Sequence, residues 1–189
     1  CDIFWIMETV ALVILNKNDG PSLEKLLDEI DYTIFDKVVA IDGDSKDNSL
    51  EILDQHHIQT YKGISGGRGG ALIYAFNHIN SDFVIFLSSD GEENPADLPK
   101  IKEYLLSGYD LVIASRVMDS TSGFKSDHNI LYFHRKLYLF IISRAIAILF
   151  GGKIKDCWNG YRGMSVQKAK NLNFDASNFL IEAQITIRF

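Results

Sequence analysis

Five short apolar runs recur along the first 114 residues, and segments with helical periodicity separate them. The runs are continuously apolar rather than alternating, which is typical of strands buried on both faces of a sheet. The predicted strands are residues 9–15, 37–42, 58–61, 82–87 and 109–114. The predicted helices are residues 21–30, 48–57, 70–79 and 95–106. This alternation predicts an α/β fold with a doubly wound, mostly parallel sheet and helices on both faces.

The alternation ends after residue 114, where the polar residues 115–129 predict a loop. Residues 130–150 then predict one long apolar helix that contains three basic residues. Its uncharged stretches are too short to cross a bilayer. We therefore expect this helix to pack in the core, to lie on a membrane surface, or to do both with different faces.

Three further elements are predicted near the end of the sequence. They are a short strand near residues 153–157, a turn at residues 159–160 and a final helix from about residue 178. The last helical pattern is still running at Phe189, so we expect a C-terminal extension in the natural chain.

Length and composition suit a single folded core. The chain has 189 residues, of which 47% are hydrophobic and 12% aromatic, enough to cover a central sheet with helices. Cys1 and Cys157 alone do not make a disulfide framework, so we expect a reducing compartment such as the cytoplasm.

The charge is distributed unevenly along the chain. Residues 1–120 carry 9 basic and 21 acidic side chains, whereas residues 121–170 carry 9 basic and 2 acidic ones. A basic segment on an acidic chain predicts a local anionic partner, and a phosphate head group at a membrane surface fits better than a long polyanion. Nucleic acid is not an expected partner, because the acidic part would repel it.

The fourth predicted strand runs directly into a cluster of hydroxyls and carboxylates, Ser88-Ser-Asp-Gly-Glu-Glu93. In a doubly wound sheet, ligands bind at the carboxyl ends of the strands. Hard oxygen atoms without His or Cys suit Mg2+ or Mn2+ that bridges to substrate phosphates. The segment therefore predicts a nucleoside-diphosphate substrate held through such a metal.

Two other loops follow predicted strands and carry unusual residues. Asp42 ends the second strand, where a carboxylate can accept a hydrogen bond from a nucleobase or a ribose; the turn after it is otherwise explained by helix-capping residues. Five glycines between Gly63 and Gly70 surround Arg68 and lead into a helix. Glycines let a backbone approach a ligand closely, and a helix N-terminus favours an anion. A flexible loop is the alternative interpretation of this glycine run.

In their order and spacing, these segments resemble the inverting family-two glycosyltransferases of the GT-A fold, particularly the dolichol-phosphate mannosyltransferase-like and polyprenyl-phosphate branch. The resemblance rests on Leu12-Val-Ile-Leu-Asn-Lys-Asn-Asp19, Ile41-Asp-Gly-Asp-Ser-Lys-Asp-Asn-Ser49, Gly67-Arg-Gly-Gly-Ala-Leu72, Ser88-Ser-Asp90, Ala114-Ser-Arg116 and Asp156-Cys-Trp-Asn-Gly-Tyr-Arg162. It implies one catalytic domain over residues 1–189, with a nucleotide-sugar-binding part at 1–114 and an acceptor-side part at 115–189.

The resemblance also implies roles for individual residues. The donor-binding residues would be Asp19, Asp42, Asp44, Gly66, Gly67, Arg68, Ser88 and Asp90, with Asp90 on the metal. The acceptor-binding residues would be Arg116, Arg135, Arg162, Glu182 and Gln184, and the catalytic residues Asp90, Arg116 and Asp156.

Two positions depart from the family pattern. Ser88 stands where the family usually has the first Asp of Asp-x-Asp, which leaves Asp90 as the aligned carboxylate and predicts weaker metal binding. Glu92 is the predicted second metal ligand, with Glu93 as the alternative. Gly43 stands where many members have a second Asp, with Asp44 displaced by one residue, which leaves the donor base open.

The implied reaction moves a sugar from a GDP- or UDP-sugar to a dolichyl, undecaprenyl or related lipid phosphate, with inversion. The partners implied are that donor, the lipid phosphate, and a membrane touched through residues 130–150 at its cytoplasmic face. Two alternatives stay open: a non-catalytic module that binds nucleotide sugars, for which Ser88 is the reason, and a sugar-1-phosphate nucleotidyltransferase.

Overall fold

The structure is a computed structural model that describes residues 8–115, 130–151, 154–175 and 180–189. The strands are β1 Val10–Asn16, β2 Lys37–Asp42, β3 Gln59–Tyr61, β4 Phe83–Ser88, β5 Leu111–Ile113 and β6 Arg162–Ser165. The helices are α1 Gly20–Glu29, α2 Ser49–Gln55, α3 Gly67–His78, α4 Leu98–Leu106, α5 Ile130–Phe150, α6 Val166–Asn171 and α7 Leu180–Arg188. Short 3-10 turns at Tyr32–Ile34 and Pro95–Asp97 precede β2 and α4.

The six strands form one sheet in the order β3-β2-β1-β4-β6-β5. The three pairings from β3 to β4 are parallel, whereas β6 is antiparallel to both β4 and β5. Residue Asn16 pairs with Asp42, and Leu15 pairs with Ser88. The carboxyl ends of β1, β2 and β4 therefore meet at one edge of the sheet, where the predicted site lies.

Both faces of the sheet are covered, as the continuous apolar runs predict. In β1, Leu12 and Ile14 pack into one core with α1, α2 and α4, while Ala11 and Val13 pack into a second core with α3, α6 and α7. All seven residues of β1 are buried. The predicted doubly wound, mostly parallel α/β fold is confirmed.

The predicted strand near residues 153–157 is wrong for the part that the structure describes, since residues 154–157 form no strand. The strand in this region is β6, whose sequence Arg-Gly-Met-Ser has little intrinsic β preference. Its conformation depends on pairing with Phe83–Phe86 on one side and Leu111–Ile113 on the other. The sequence does not show these long-range partners, so it gives no local signal for β6.

Helix α5 spans residues 130–150, the predicted range, but little of its described surface is covered. Among its described side chains, Leu139 and Ser143 are buried, whereas Ile148 and Leu149 are 76% and 75% exposed. Packing in the core therefore accounts for only a narrow stripe of this helix. No helix in the described part of the chain is long and apolar enough to span a membrane.

The antiparallel β6 leads to a stability prediction at Gly163. A Cβ on this residue would lie 2.7 Å from Leu105 Cδ1 and 2.8 Å from Ile101 Cγ2, because α4 packs directly on the strand. Gly163→Ala should lower the free energy of unfolding by about 1–3 kcal/mol through overpacking. Urea unfolding measures the change. Ser107→Ala, at the exposed C-terminal end of α4, is the control. Equal stability of the Gly163→Ala variant and the wild type would contradict this packing.

Candidate active site

A buried polar network joins the carboxyl ends of β1 and β2. Asp42 is fully buried, and one oxygen of its carboxylate accepts hydrogen bonds from Asn16 Nδ2 at 2.7 Å and Ser45 Oγ at 2.5 Å. The other oxygen accepts from the Ser45 N–H at 2.8 Å. The loop after β2 is therefore folded around Asp42. This position explains why a carboxylate ends the strand, which helix capping alone does not.

Ser89 attaches the loop after β4 to the same network. Its side chain is fully buried, and its hydroxyl oxygen lies 2.7 Å from Asp19 Oδ2 and 2.9 Å from Asn16 Oδ1. Its backbone N–H donates to the Leu15 carbonyl at 3.0 Å. Asp19 itself is only partly buried, so it stands at the rim of the network, where its carboxylate can reach a ligand.

Asp44 lies on the exposed side of the loop after β2. Its φ is +68° and that of Asn18 in the neighbouring loop is +59°, both in the left-handed region that non-glycine residues seldom adopt. The two loops are tied together, because Asn18 Oδ1 accepts from the Lys46 N–H at 2.7 Å. The hydrogen bond from Lys46 Nζ, 2.8 Å away, holds the pKa of Asp44 below its ordinary value.

The glycine run forms a tight turn that opens α3. Gly66 and Gly67 have φ values of +88° and +60°, and the helix begins at Gly67, three residues earlier than predicted. A Cβ on Gly70 would lie 1.9 Å from the Ser65 carbonyl oxygen, so only glycine fits there. These glycines are therefore required by a defined turn, and the flexible-loop interpretation is wrong. The 12-residue helix presents its N-terminal N–H groups at this point.

Arg68, on the first turn of α3, connects three parts of the chain. Its Nη1 donates to Ser88 Oγ at 2.7 Å, and its Nε forms an ion pair with Glu182 of α7. Its guanidinium lies against the backbone of Gly160, where a Cβ would come within 1.7 Å of Nη2. Arg68 thereby brings the glycine turn, the end of β4 and the C-terminal helix together.

Behind this ion pair, Arg162 is fully buried and its N–H groups are used on the protein itself. Its Nε donates to the Asn159 carbonyl at 2.8 Å and its Nη1 to the Glu182 carbonyl at 3.0 Å. Burial lowers the pKa of Arg162 to about 10, although Glu182 opposes the shift. Burial likewise raises the pKa of Glu182, while Arg68 and Arg162 counter it. Arg162 thus supports Glu182 and the Asn159 turn from the protein interior, rather than facing an acceptor as the resemblance implies.

The loop after β4 presents two exposed carboxylates and one sheltered one. Asp90 and Glu92 are exposed, and the Glu92 N–H donates to Asp90 Oδ1 at 3.0 Å. Glu93 turns back and accepts from the Ser88 N–H at 2.6 Å. Its removal from water raises the pKa of Glu93 to about 7, with Arg68 acting in the opposite direction. Ser88 is therefore a junction, bonded to Glu93 through its backbone and to Arg68 through its hydroxyl.

The remaining predicted residues are not all brought to this cluster. Asp156 is buried, with an oxygen 3.3 Å from the Trp158 N–H, and it borders a groove of about 570 Å3 that also touches β5, the end of α5 and α7. Gln184 turns away from Glu182 and hydrogen-bonds Asp175. Arg116 and the side chain of Arg135 lie outside the described residues.

The side-chain ligands near Asp90 are of the type that binds a hard divalent cation, but too few of them are grouped together to hold one alone. Asp90, Glu92 and Glu93 offer carboxylate oxygens, the ligands that Mg2+ and Mn2+ prefer. Within the described ranges, however, no three His, Cys, Asp or Glu side chains are grouped as metal ligands. A cation held here would take most of its ligands from substrate phosphates and water, as Mg2+ commonly does.

Three functional positions were not singled out from the sequence: Asn16, Ser89 and Gly160. Asn16 and Ser89 are polar residues beside buried strands, and their position predicts burial but not the partner that they meet. Gly160 follows Asn159 in the predicted turn. Its contact with Arg68 joins residues 92 positions apart, which only the folded chain reveals.

Comparison with known proteins places the chain among sugar-transferring enzymes. The family model described as Glycosyl transferase family 2 matches residues 11–172. A glycosyltransferase named AglJ, from Haloferax volcanii, is 25% identical over 181 residues, which cover 95% of this chain and 58% of that protein. An undecaprenyl-phosphate 4-deoxy-4-formamido-L-arabinose transferase from Yersinia pestis is 28% identical over 131 residues, 63% of this chain and 40% of that protein.

Among solved structures, the chain is similar to glucosyl-3-phosphoglycerate synthase from Mycobacterium tuberculosis in complex with Mn2+ and UDP-glucose. The TM-score is 0.71 and the identity 18%, over 93% of this chain and 62% of the synthase chain. This likeness supports the fold. The chain spans 58% and 40% of the lengths of the two relatives above, so both have substantial further sequence.

The position of Arg68 generates a prediction about Gly160. In Gly160→Ala the new methyl group would occupy the place of the guanidinium, so the ion pair with Glu182 should break. Because breaking a buried pair leaves an uncompensated charge, the free energy of unfolding should fall by about 3–5 kcal/mol. Denaturant unfolding measures this. Gly43→Ala is the matched control, since its Cβ would meet only the stem of the exposed Lys17, 3.2 Å away. Similar losses in the two variants would refute the account.

Proposed function

The chain belongs to glycosyl transferase family 2, and we propose that it moves a sugar from a nucleoside-diphosphate donor to a polyprenyl phosphate with inversion at the anomeric carbon. It is a glycosyltransferase; the donor, the acceptor and the stereochemistry are the proposal. One observation carries it: Arg68 at the glycine turn is bonded to Ser88 at the end of β4, two residues before Asp90. The glycine turn and the carboxylate loop therefore border the same space.

The donor side is assigned to the edge where β1, β2 and β4 end. Asp19 and Asp44 stand at the rim, where a ribose or a base can contact them, while Asp42 supports the loop from below. The N-terminus of α3 at Gly66 and Gly67 is an oriented dipole that favours the diphosphate. The proposed base is uracil or guanine.

Asp90, with Glu92 or Glu93 beside it, would hold Mg2+ or Mn2+ together with the donor phosphates. When bound, such a cation neutralises the charge that develops on the leaving diphosphate. Structures of the Mycobacterium synthase contain Mn2+ with UDP-glucose or Mg2+ with UDP, which supports a divalent ion as part of this proposal. Because Ser88 replaces one carboxylate, this chain contributes fewer ligands and should bind the ion weakly.

The acceptor side is assigned to the segment after β5. The Yersinia relative is named for transfer to undecaprenyl phosphate, and this supports a lipid phosphate here. Arg116 and Arg135 are the proposed phosphate-binding residues, since each would pair two guanidinium N–H groups with phosphate oxygens. Glu182, and Arg162 behind it, act through Arg68, whose guanidinium they hold in place.

The proposed chemistry is a single displacement. An oxygen of the acceptor phosphate forms a bond to the anomeric carbon, the bond from that carbon to the donor phosphate oxygen breaks, and the nucleoside diphosphate leaves with the electron pair. The attacking oxygen is already anionic, so no side chain has to remove a proton from it. The protein's contribution is alignment and a fixed field of N–H donors and cations. A hydroxyl acceptor would need a base, and Asp156 is the proposed candidate.

One observation favours a second function, a non-catalytic module that binds nucleotide sugars. The Ser88 hydroxyl is committed to Arg68, so this position does not offer a metal ligand as the family's first Asp does. Donor binding without turnover on any lipid phosphate would favour that alternative. Pyrophosphate release from a nucleoside triphosphate would instead indicate a nucleotidyltransferase.

Membrane contact through residues 130–150 is also proposed, at the cytoplasmic face. The exposed apolar side chains of α5, among them Tyr138, Ile141, Ile148 and Leu149, support it, because apolar groups on a helix with basic and no acidic residues suit an anionic lipid surface. A lipid-phosphate acceptor would lie at the same surface.

Asp90 provides the direct test of the proposed reaction. Release of nucleoside diphosphate from UDP-glucose or GDP-mannose should require undecaprenyl or dolichyl phosphate and Mg2+ or Mn2+, and a chelator should abolish it. Asp90→Ala should lower kcat/KM by about 100-fold or more, since charge stabilisation of a leaving group contributes roughly 3 kcal/mol. Glu103→Ala, an exposed carboxylate on α4, is the control. Full turnover by the Asp90→Ala protein would remove Asp90 from the mechanism.

A second measurement tests the membrane contact. Ile148→Glu combined with Leu149→Glu should lower sedimentation with anionic phosphatidylglycerol vesicles at least roughly tenfold, because two apolar side chains and lipid charge no longer favour binding. The control is Leu180→Glu on α7, which is similarly exposed at 65% but lies on another helix. Equal vesicle binding by the double variant and the wild type would exclude α5 as the contact.

A further inference from the structure

Ser89 occupies the position between Ser88 and Asp90, where the family motif carries no ligand. Its side chain is fully buried, and its backbone N–H is bonded to the Leu15 carbonyl at 3.0 Å. The residue is therefore fixed to β1 on one side and joined through one peptide bond to the exposed Asp90 on the other. Its hydroxyl has no access to solvent or substrate.

Three acceptor oxygens surround this one hydroxyl proton. They are Asp19 Oδ2 at 2.7 Å, Asn16 Oδ1 at 2.9 Å and the Leu15 carbonyl at 3.0 Å. The orientation of the Asn16 amide follows from Asp42, because Nδ2 donates to that carboxylate and Oδ1 must then face Ser89. The Leu15 carbonyl already accepts from the Ser89 N–H. Of these three acceptors, Asp19 Oδ2 is the nearest and the only charged one, so the Ser89 hydroxyl donates its proton to Asp19.

This hydrogen bond fixes how the Asp19 carboxylate is presented. Both hydrogen bonds to that carboxylate within the described structure go to Oδ2, from Ser89 at 2.7 Å and from the Lys17 N–H at 3.5 Å. The second oxygen, Oδ1, is left for a group outside the network, and Asp19 is partly exposed. A carboxylate held by one oxygen presents the other in a single direction.

We propose that Ser89 is a positioning residue: its hydroxyl holds Oδ2 of Asp19 so that Oδ1 accepts a hydrogen bond from a hydroxyl or N–H group of the nucleoside part of the donor. The inference rests on the proposed function and adds a residue to it. It also assigns a role to Ser89, the middle residue of the segment from Ser88 to Asp90. The Ser89 hydroxyl thereby links the loop that carries Asp90 to Asp19, the residue proposed to contact the nucleoside.

The test measures binding of UDP and of GDP by calorimetry, in Mg2+, without an acceptor. Ser89→Ala should raise the Kd of whichever nucleotide the wild type binds by about 10- to 150-fold, the range for losing one hydrogen bond to a charged group. Ser89→Cys keeps the size of the side chain but donates weakly, and it should change Kd in the same direction. It also serves if the alanine variant does not fold.

Ser165→Ala is the matched control. Ser165 is another buried serine, and its hydroxyl caps α6 by accepting from the Lys168 N–H at 3.4 Å. Its loss should lower the free energy of unfolding without changing Kd, which separates positioning from stability. An unchanged Kd in both Ser89 variants would overturn the proposal.

A double-mutant cycle decides whether Ser89 acts through Asp19. In the Asp19→Ala background, adding Ser89→Ala should change Kd by less than about twofold, because the group that the hydroxyl positions is gone. A full additive loss would overturn the proposal. If the wild type binds neither UDP nor GDP, the proposed function fails and this inference fails with it; if the wild type binds and the Ser89 variants bind equally well, only this inference fails.

Discussion

The contact between Arg68 and its two partners is the constraint on which the site depends. Ser88 lies at the end of β4 and Glu182 on the last described helix, and Arg68 bonds to both from the first turn of α3. A guanidinium suits this place because its planar fork donates in several directions at once. Burying its charge is costly, and the carboxylate of Glu182 makes the burial possible. Gly160 completes the arrangement by leaving room for the planar group.

The substitution at position 88 changes the character of this edge of the sheet. In the family pattern an Asp here adds a second negative charge beside Asp90, whereas the Ser88 hydroxyl accepts from Arg68 and contributes no charge. Glu93 approaches the same backbone from the following loop, and its raised pKa reflects how little water reaches it. The local charge balance is thus set by two exposed carboxylates, Asp90 and Glu92, and the sheltered Glu93.

The polar groups below the rim form a rigid base. Asp42, Asn16, Ser45 and Ser89 are buried; Asn16 and Ser45 donate to Asp42, and Ser89 donates to Asp19 at the rim. Buried polar groups are costly unless they are satisfied, so such a network holds one geometry rather than several. The exposed residues, Asp19, Asp44 and Asp90, are carried by loops that this base fixes. Specific recognition needs that division, because a ligand-facing carboxylate positions a substrate only when its own backbone is held.

The sequence by itself determined the sheet, its buried strands and the loops that carry the site. Continuous apolar runs predict strands that are buried on both faces, because the pattern is visible in each short segment by itself. Glycines or carboxylates directly after such strands predict ligand-binding loops, because ligands bind at the carboxyl ends of the strands. The tertiary structure alone decided β6, the role of Arg162 and the partners of Arg68 and Ser89. Each of these depends on contacts between residues far apart in the chain, such as Phe86 with Arg162 or Asp19 with Ser89. Local sequence patterns carry no information about which distant group a buried polar side chain will meet, because that choice is made only when the elements pack.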